Sequence, residues 1–382
     1  MINVAIIGIG AISDSHIEAY LQFPERCQIK VLVDKGVERA QQKIEQHKLD
    51  AIAVEDYNYL KEREDIDLVS ICLPPGLHAS VACDMLNAGK HVLCEKPLAP
   101  TVEECDLMIK TAKENGKILS AVAQNRFKPD VIRAKKLVDS GILGKANYAL
   151  ASSLWWRGEN YYNLAWRGKW DTEGGGCTLI HGIHHIDLFL WMMGKPTQIS
   201  AQVFNRAHTN SEVEDISLGT VSFESGAVGS MITSIIHHGE EQRVIFDGEY
   251  GSVELPFALH ASKQLENGFP VDNEEKLEEM KKFCDAVEVS YTGHTGQIND
   301  VLTAIETNGE PLIKGEDGRL AIEFISALYQ SAFLKQPVSL PLTPEDPFYS
   351  KKGVQTYATK FYEKSVSVAE FKNNEIQVGG TL

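Results

Sequence analysis

Short apolar runs recur along the first third of the chain, at residues 3–7, 28–33, 51–54, 68–72, 91–94 and 118–123, and stretches of helical character fall between them, from Asp14, over 77–87 and over 101–114. Uninterrupted apolar runs read as strands buried on both faces, and strands that alternate with helices build a parallel sheet covered on both sides. The later segments 147–156, 197–206, 215–224, 227–236 and 243–255 are strand-like and follow one another with few helices between, and Ser225-Gly226 marks a hairpin turn. They predict an open, largely antiparallel sheet with helices over one face. The fold class expected is α/β followed by α+β: a doubly wound parallel sheet over 1–122 and a C-terminal α+β domain over 123–382. From Leu342 onward the chain is polar and proline-marked, with an amphipathic piece over 354–362 that either wraps the domain or trails, and disorder is expected only at this end.

Composition narrows the partners. At 382 residues the chain exceeds one ordinary core, and two domains imply a cleft. With 43% apolar and 24% charged residues it reads as an ordinary globular protein. A net charge of −16 argues against a nucleic-acid backbone or an anionic membrane, both of which need surplus Lys and Arg. The 7 cysteines are scattered without a CxxC pair, and no apolar run is long enough for a membrane helix. A cytoplasmic protein with reduced thiols and a small-molecule partner is expected.

The first strand runs into Gly8-Ile9-Gly10-Ala11-Ile12-Ser13 and then a helix. In such a strand–turn–helix the first glycine permits the tight turn, the second lets a pyrophosphate reach the backbone, and free N–H groups of the helix start meet the phosphate. Ser13 stands where a third glycine is usual. The second strand ends at Asp34, placed to accept hydrogen bonds from ribose hydroxyls, which favours NAD, while Lys35 beside it keeps NADP open. The loop Leu73-Pro74-Pro75-Gly76 follows a strand end, where it can cover a cofactor; His78 is either part of that cover or a polar residue opening a helix. The run His91-Val92-Leu93-Cys94 breaks into Glu95-Lys96-Pro97. Ligands bind at the carboxyl ends of strands in such sheets, so Lys96 is a candidate for chemistry.

The strings GIGAIS, ICLPPGLHASVACDMLNAGKHVLCEKPLAPT and QNRFKP resemble the Gfo/Idh/MocA oxidoreductases, and the resemblance extends to about residue 340. It implies an N-terminal Rossmann domain and a lysine, matched by Lys96, that reaches both the reacting hydroxyl and the nicotinamide ribose through a lysine–proline bond that is often cis. It also implies a sheet face that packs on a second subunit, giving a homo-oligomer, a dimer or tetramer. The family's GGG is followed by an aspartate, a histidine four residues on and then IDL. Counting back from Asp187 makes His184 that histidine and puts Ile180 where the aspartate belongs, with His181 the nearest polar substitute.

Residues 177–193 are apolar on nearly all sides, a buried helix. At about 100° per residue His181 and His185 lie about 40° apart and His184 about 60° from His181, so one face presents two of the three. His184 is the acid/base candidate, His181 an even choice between chemistry and structure, and His185 a packing residue. An i, i+4 pair is also a zinc pattern, but no third ligand follows, so no metal is expected. Upstream, Trp155, Trp156, Tyr161, Tyr162, Trp166 and Arg167 crowd a loop-like region that reads as a sugar platform or as the core of a long connection. Trp156, Tyr162, Trp166 and Arg167 are the substrate candidates, and one of Trp155 and Trp156 must face away. Asn125 and Arg126, at the crossing between domains, are placed to hold the cofactor carboxamide or substrate, with an interdomain salt bridge as the alternative. His294 either approaches the site from the C-terminal domain or lies on the surface.

These readings converge on reversible oxidation of a secondary ring hydroxyl in a sugar, glycoside or cyclic polyol such as an inositol, with hydride passing to NAD. Two rivals share the scaffold: a non-catalytic NAD or sugar sensor, for which Ile180 speaks, and a reductase of an unrelated small molecule such as a dihydrodiol or imine.

Overall fold

The computed structural model describes residues 1–369 and 371; the rest of the tail lies outside the described residues. The chain divides into two compact units. The first holds 1–124, 171–174 and 291–322, and the second holds 125–170, 175–290 and 323 onward.

The first unit is built on β1 (Ile2–Ile7), α1 (Ser13–Tyr20), β2 (Cys27–Val33), α2 (Val37–His47), β3 (Ile52–Val54), β4 (Leu68–Ile71), α3 (His78–Asn87), β5 (His91–Cys94), α4 (Val102–Glu114) and β6 (Leu119–Ala121). The strands form one parallel sheet in the order β3-β2-β1-β4-β5-β6, so the order reverses between β1 and β4. That reversal is the switch point where open α/β sheets bind ligands. All four residues of β4 are buried, as a strand covered on both faces must be. Local signals fix the helix starts. Thr101 accepts from the Glu104 N–H at 3.3 Å and donates to the Glu104 carboxylate at 2.8 Å, a reciprocal cap. A helix from far downstream, Gly293–Thr307, completes this unit: Ile298, Val301 and Leu302 join the apolar core of β1, β2 and α1, and its Gln297 donates to Ala121 O at 2.7 Å and accepts from Ala123 N at 3.0 Å.

The second unit contains α5 (Pro129–Asp139), β7 (Ala146–Trp156), α6 (Ile183–Met193), β8 (Pro196–Phe204), β9 (Ile216–Phe223), β10 (Val228–Ser234), β11 (Ile236–Gly248), β12 (Ser252–Leu255), β13 (Ala258–His260), a small ribbon of β14 (Ser262–Gln264) and β15 (Pro270–Asp272), α7 (Glu274–Asp285) and β16 (Val338–Ser339). Its eight-stranded sheet runs β13-β12-β11-β7-β10-β9-β8-β16, and only the central β7–β10 pair is parallel. The single strand expected over 243–255 is two, β11 and β12, paired antiparallel as Val244↔Leu255 around the turn at 249–251. The apolar run hid that turn because its residues, Glu249-Tyr250-Gly251, interrupt it only briefly.

Period two is clear along β7: Ala149, Ala151, Ser153 and Trp155 are all buried on the face that carries α6. The amphipathic piece expected over 354–362 is a shorter helix, Lys351–Tyr357, and residues 358–368 beyond it run along the unit rather than trailing. Phe361 N and Tyr362 N donate to Glu212 O and Ser211 O, and Val368 forms a one-residue parallel bridge with Leu164. Among the described residues no helix is long and apolar enough to cross a membrane.

Candidate active site

In the first unit the glycine turn is shaped for close approach. Gly8 has φ +92, and a Cβ there would stand 2.6 Å from Cys72 O, so only glycine fits. A Cβ on Gly10 would meet nothing within 4 Å, which leaves open space over the start of α1 where a pyrophosphate fits. Ala11 and Ile12 lead into that helix, and the Ser13 hydroxyl donates back to Gly10 O at 2.7 Å. Asp34 is set from three sides: one oxygen accepts from Ile9 N at 2.8 Å, the other from Gly36 N and Arg39 Nη2, both at 2.7 Å. Burial pushes the Asp34 pKa up, but the Arg39 guanidinium and the two backbone donors outweigh it and hold the carboxyl below its usual range. The result is a fixed carboxylate at the end of β2, as ribose recognition requires, with Lys35 exposed beside it. These residues fit NAD.

Lys96 follows β5 with its peptide bond to Pro97 cis, and its two sequence neighbours, Glu95 and Pro97, are each bonded by a buried histidine. Glu95 is buried, and its carboxylate meets His16 Nε2 at 3.0 Å and accepts from the Lys96 N–H at 3.1 Å. The other nitrogen of His16 lies 3.3 Å from the Ser70 hydroxyl, itself 2.7 Å from the Tyr20 hydroxyl. His294, on the returning helix, brings Nε2 to 3.6 Å from Glu95 and its ring to 5.3 Å from that of His16. By contact it groups with the first unit, beside Glu95, and does not lie on the open surface. Burial alone would raise the Glu95 pKa, but the two imidazoles reverse it and hold the group well below the carboxylate range. The ligand atoms of His16, Glu95 and His294 lie within 4.8 Å of one another, close enough to hold a metal ion, although the His16–Glu95 hydrogen bond already accounts for that closeness. On the other side, both nitrogens of buried His78 face carbonyl oxygens, Pro97 O at 2.8 Å and Leu73 O at 2.7 Å. His78 thus bridges the Leu73-Pro74-Pro75 loop to the residue after Lys96.

In the second unit the glycines preceding the histidines serve close packing. A Cβ on Gly175 would lie 2.4 Å from the Tyr329 hydroxyl, and one on Gly176 would lie 2.1 Å from Glu214 O. Glu214, fully buried, fills the space the glycines open: it accepts from Gly176 N and Thr178 N at 3.0 Å each and from the Tyr329 hydroxyl at 2.8 Å. A carboxylate at this helix start complements the helix dipole, while its burial raises its pKa.

The histidine segment is not one regular α-helix. Thr178–Gly182 is a π turn that passes into α6. Such a turn carries an extra residue, so angles computed at an α-helical step across it fail. The observed placement is direct: Trp155 lies 6.1 Å from His181 and 6.4 Å from His185, ring to ring, and Tyr161 lies 5.5 Å from His181. His184 is the partly exposed member of the three, while His181 and His185 are buried. Burial, reinforced by the Lys128 charge, drives the His185 pKa down to about 3, so it is neutral. Asp187 of the IDL motif accepts from Arg126 Nε at 2.9 Å and Nη2 at 2.7 Å, a buried bidentate pair beneath which lies Trp191.

The platform residues are rearranged relative to expectation. Strand alternation points Trp155, not Trp156, at the histidines; Trp156 is 45% exposed and stacks on His238. Tyr162 is core, packed edge-on against His208, and its neighbour Tyr161 takes the place beside His181. Arg167 lies between the rings of Tyr161 and Trp166, at 4.1 and 4.2 Å, and donates to the Tyr161 hydroxyl. Arg126 is held by Asp187 in an ion pair, but within the second unit and not between domains as the alternative had it, and Asn125 stands partly exposed at the start of the unit. Sequence reasoning passed over His16 and Glu214, which sit among polar residues with no spacing signal, and left the Trp155 and Tyr161 choices to register.

Comparison with known proteins bears on both units. The family description "Oxidoreductase family, NAD-binding Rossmann fold" matches residues 2–122, and "Oxidoreductase family, C-terminal alpha/beta domain" matches 135–340. The chain belongs to this Gfo/Idh/MocA family. It is 26% identical over 349 residues to the D-glucoside 3-dehydrogenase of Escherichia coli, covering 87% of this chain and 95% of that protein. It is 24% identical over 302 residues to the inositol 2-dehydrogenase of Salmonella typhimurium, covering 78% and 86%. Among solved structures, the WlbA dehydrogenase of Chromobacterium violaceum in complex with NADH and UDP-GlcNAcA is similar at a TM-score of 0.78 with 26% identity, covering 90% of this chain and 96% of that one. The family's cofactor, NAD, is the one the glycine turn and Asp34 fit.

Proposed function

We propose that the protein is an NAD-dependent oxidoreductase that interconverts a secondary ring hydroxyl and a ketone on a sugar, glycoside or cyclic polyol. The observation that carries this reading is Lys96 at the carboxyl end of a strand beside the switch point of an NAD-binding sheet, fixed between Glu95 and Pro97, which His16 and His78 hold. Similarity to a glucoside and an inositol dehydrogenase supports the ring hydroxyl as the reacting group.

NAD, when bound, supplies the hydride acceptor. His184 takes the hydroxyl proton as general base, and the Lys96 ammonium donates a hydrogen bond to the same oxygen, stabilising charge that develops there as the carbonyl forms. In the reverse direction the same two groups deliver the proton. Ile180 supplies no carboxylate to share the proton with His184, so Lys96 bears a larger part of the charge. Trp155, Tyr161, Trp166 and Arg167 offer ring faces and donors to a pyranose-like ligand. A panel of glucosides, inositols and their keto forms, followed by NADH fluorescence, tests the reading: turnover with at least one ring alcohol that vanishes in both Lys96→Ala and His184→Ala supports it. Unchanged rates in both variants refute the mechanism, and silence across the panel with NAD still bound favours a sensor.

The same proposal includes a homo-oligomer. By strand register Leu150, Leu154 and Trp156 share a face with Val228, Ile232 and Leu218, opposite the face that carries α6. Val228 is 51% exposed and Leu218 39%, an apolar stripe that a second copy would cover. Light scattering that shows a monomer at micromolar concentration would exclude it.

A further inference from the structure

Two polar groups of the second unit have no part in the mechanism above. His185 is 2% exposed, yet among the described residues neither of its ring nitrogens has a hydrogen-bond partner. Lys128 stands half-buried just before α5, which packs on α6, and Arg126, two residues before it, is bonded to Asp187, two residues after His185; among the described residues no carboxylate pairs with the Lys128 ammonium. The nearby acid that might have served, Asp187, is committed to Arg126 through two hydrogen bonds. Trp155 lends its ring to His185, but its indole N–H is taken by Ser153 Oγ at 2.9 Å.

Buried polar atoms are nearly always satisfied, and a half-buried cation without a counter-charge is worse placed than in water. Two such groups on segments joined by the Arg126–Asp187 pair point to an acceptor that comes from outside the chain. A neutral hydroxyl would answer His185, but only an anionic oxygen answers both, through a charge-assisted bond to the ammonium and a second bond from the neutral imidazole N–H. We propose that Lys128 and His185 form a subsite for an anionic oxygen of the ligand, making the substrate an acidic sugar that carries a carboxylate. This rests on the sugar reading of the site and narrows it.

The test uses the full chain saturated with NADH and two probes that differ only in charge, methyl β-D-glucuronide and methyl β-D-glucoside, with affinities from calorimetry. The acid is expected to bind about tenfold tighter, the span of one charge-assisted bond. Lys128→Met should abolish that preference, Lys128→Arg should retain it, and His185→Leu should reduce it, while glucoside affinity stays within about twofold. Equal affinities in the parent protein, or a preference that survives Lys128→Met, overturn the subsite while leaving the sugar reading intact. If neither sugar binds, acetate is titrated against the ring-proton resonances of His185. A response lost in Lys128→Met keeps the anion subsite and removes the sugar, and no response overturns the subsite.

Discussion

His78 and His185 are both buried, one in each unit, and their circumstances are opposite. Each nitrogen of His78 faces a backbone carbonyl within 2.8 Å, whereas neither nitrogen of His185 has a partner among the described residues. The first unit thus closes its hydrogen-bonding around Lys96 from its own residues, using His16, Glu95 and His78. That is preorganisation, in which the group that must meet developing charge is held before any ligand arrives. The second unit leaves capacity open beside Trp155, as a surface that must accept a variable ligand does. On the proposed reading the lysine's setting is fixed in the first unit, while the second unit, which also carries the base His184, holds the open capacity.

The contrast can be broken in several ways. Lys96→Ala should lower kcat by about a thousandfold, the combined scale of acid/base and oxyanion effects, with NADH affinity by fluorescence titration nearly intact. A variant that keeps most of its turnover would show that the cage around Lys96 serves folding alone. Next in size is a pair of stability measurements by urea denaturation. His78→Leu removes the one N–H that a neutral imidazole donates to a buried carbonyl and should cost about 1–3 kcal/mol, while His185→Leu replaces an unsatisfied ring with an apolar side chain of similar size and should stay within about 1 kcal/mol. Equal losses would erase the distinction.

The same comparison has a pH dependence. The His185 pKa falls from 6.5 to about 3 in the folded protein, so between those values the unfolded chain binds the extra proton. Stability should therefore decline as pH drops below about 6.5, by at most about 1.4 kcal/mol per unit for this one group, and His185→Leu should lose less than the parent over that window. Parallel curves would mean that His185 is protonated where it lies. The smallest expected effect is at Arg39, half exposed on its ion pair with Asp34: Arg39→Ala should change stability by less than about 1 kcal/mol, read as a shift of a few degrees or less in Tm.

Much of the first unit was legible because its signals are local. Apolar runs, Gly8, Gly10 and the acid ending the second strand each announce themselves within a few residues, and the parallel sheet follows from alternation, although its strand order does not. What stayed hidden depends on distance or on helical step. His294 could not be placed beside Glu95, because nothing in residues 293–307 tells which unit that helix joins. The π turn at 178–182 displaced the angles on which the histidine faces were judged, and the group bonded at its start, Glu214, lies 36 residues away in sequence. Trp155 and Trp156 were separable only in principle: period two says they diverge, but only the packing of α6 on β7 says which one turns inward.

The C-terminal wrap alters how the site surface comes into being. Lys364 donates to Tyr162 O across 202 residues, Val368 and Asn163 are joined by a backbone bond of 2.8 Å, and Asn210 Oδ1 receives the N–H groups of Ser365 and Val366. The loop bearing Tyr161, Trp166 and Arg167 is thus sewn down by chain that lies beyond residue 340, where the family match ends. Contacts of such long sequence separation form late, since closing a long loop is costly before the contact is gained. A chain trimmed to the family boundary would lose these fastenings of the aromatic loop together with buried Phe348, while the NAD cradle, built from residues before 323, keeps its own bonds. Nucleotide binding and, on the proposed reading, sugar recognition are therefore expected to part when the chain is cut once, at a place remote in sequence from both.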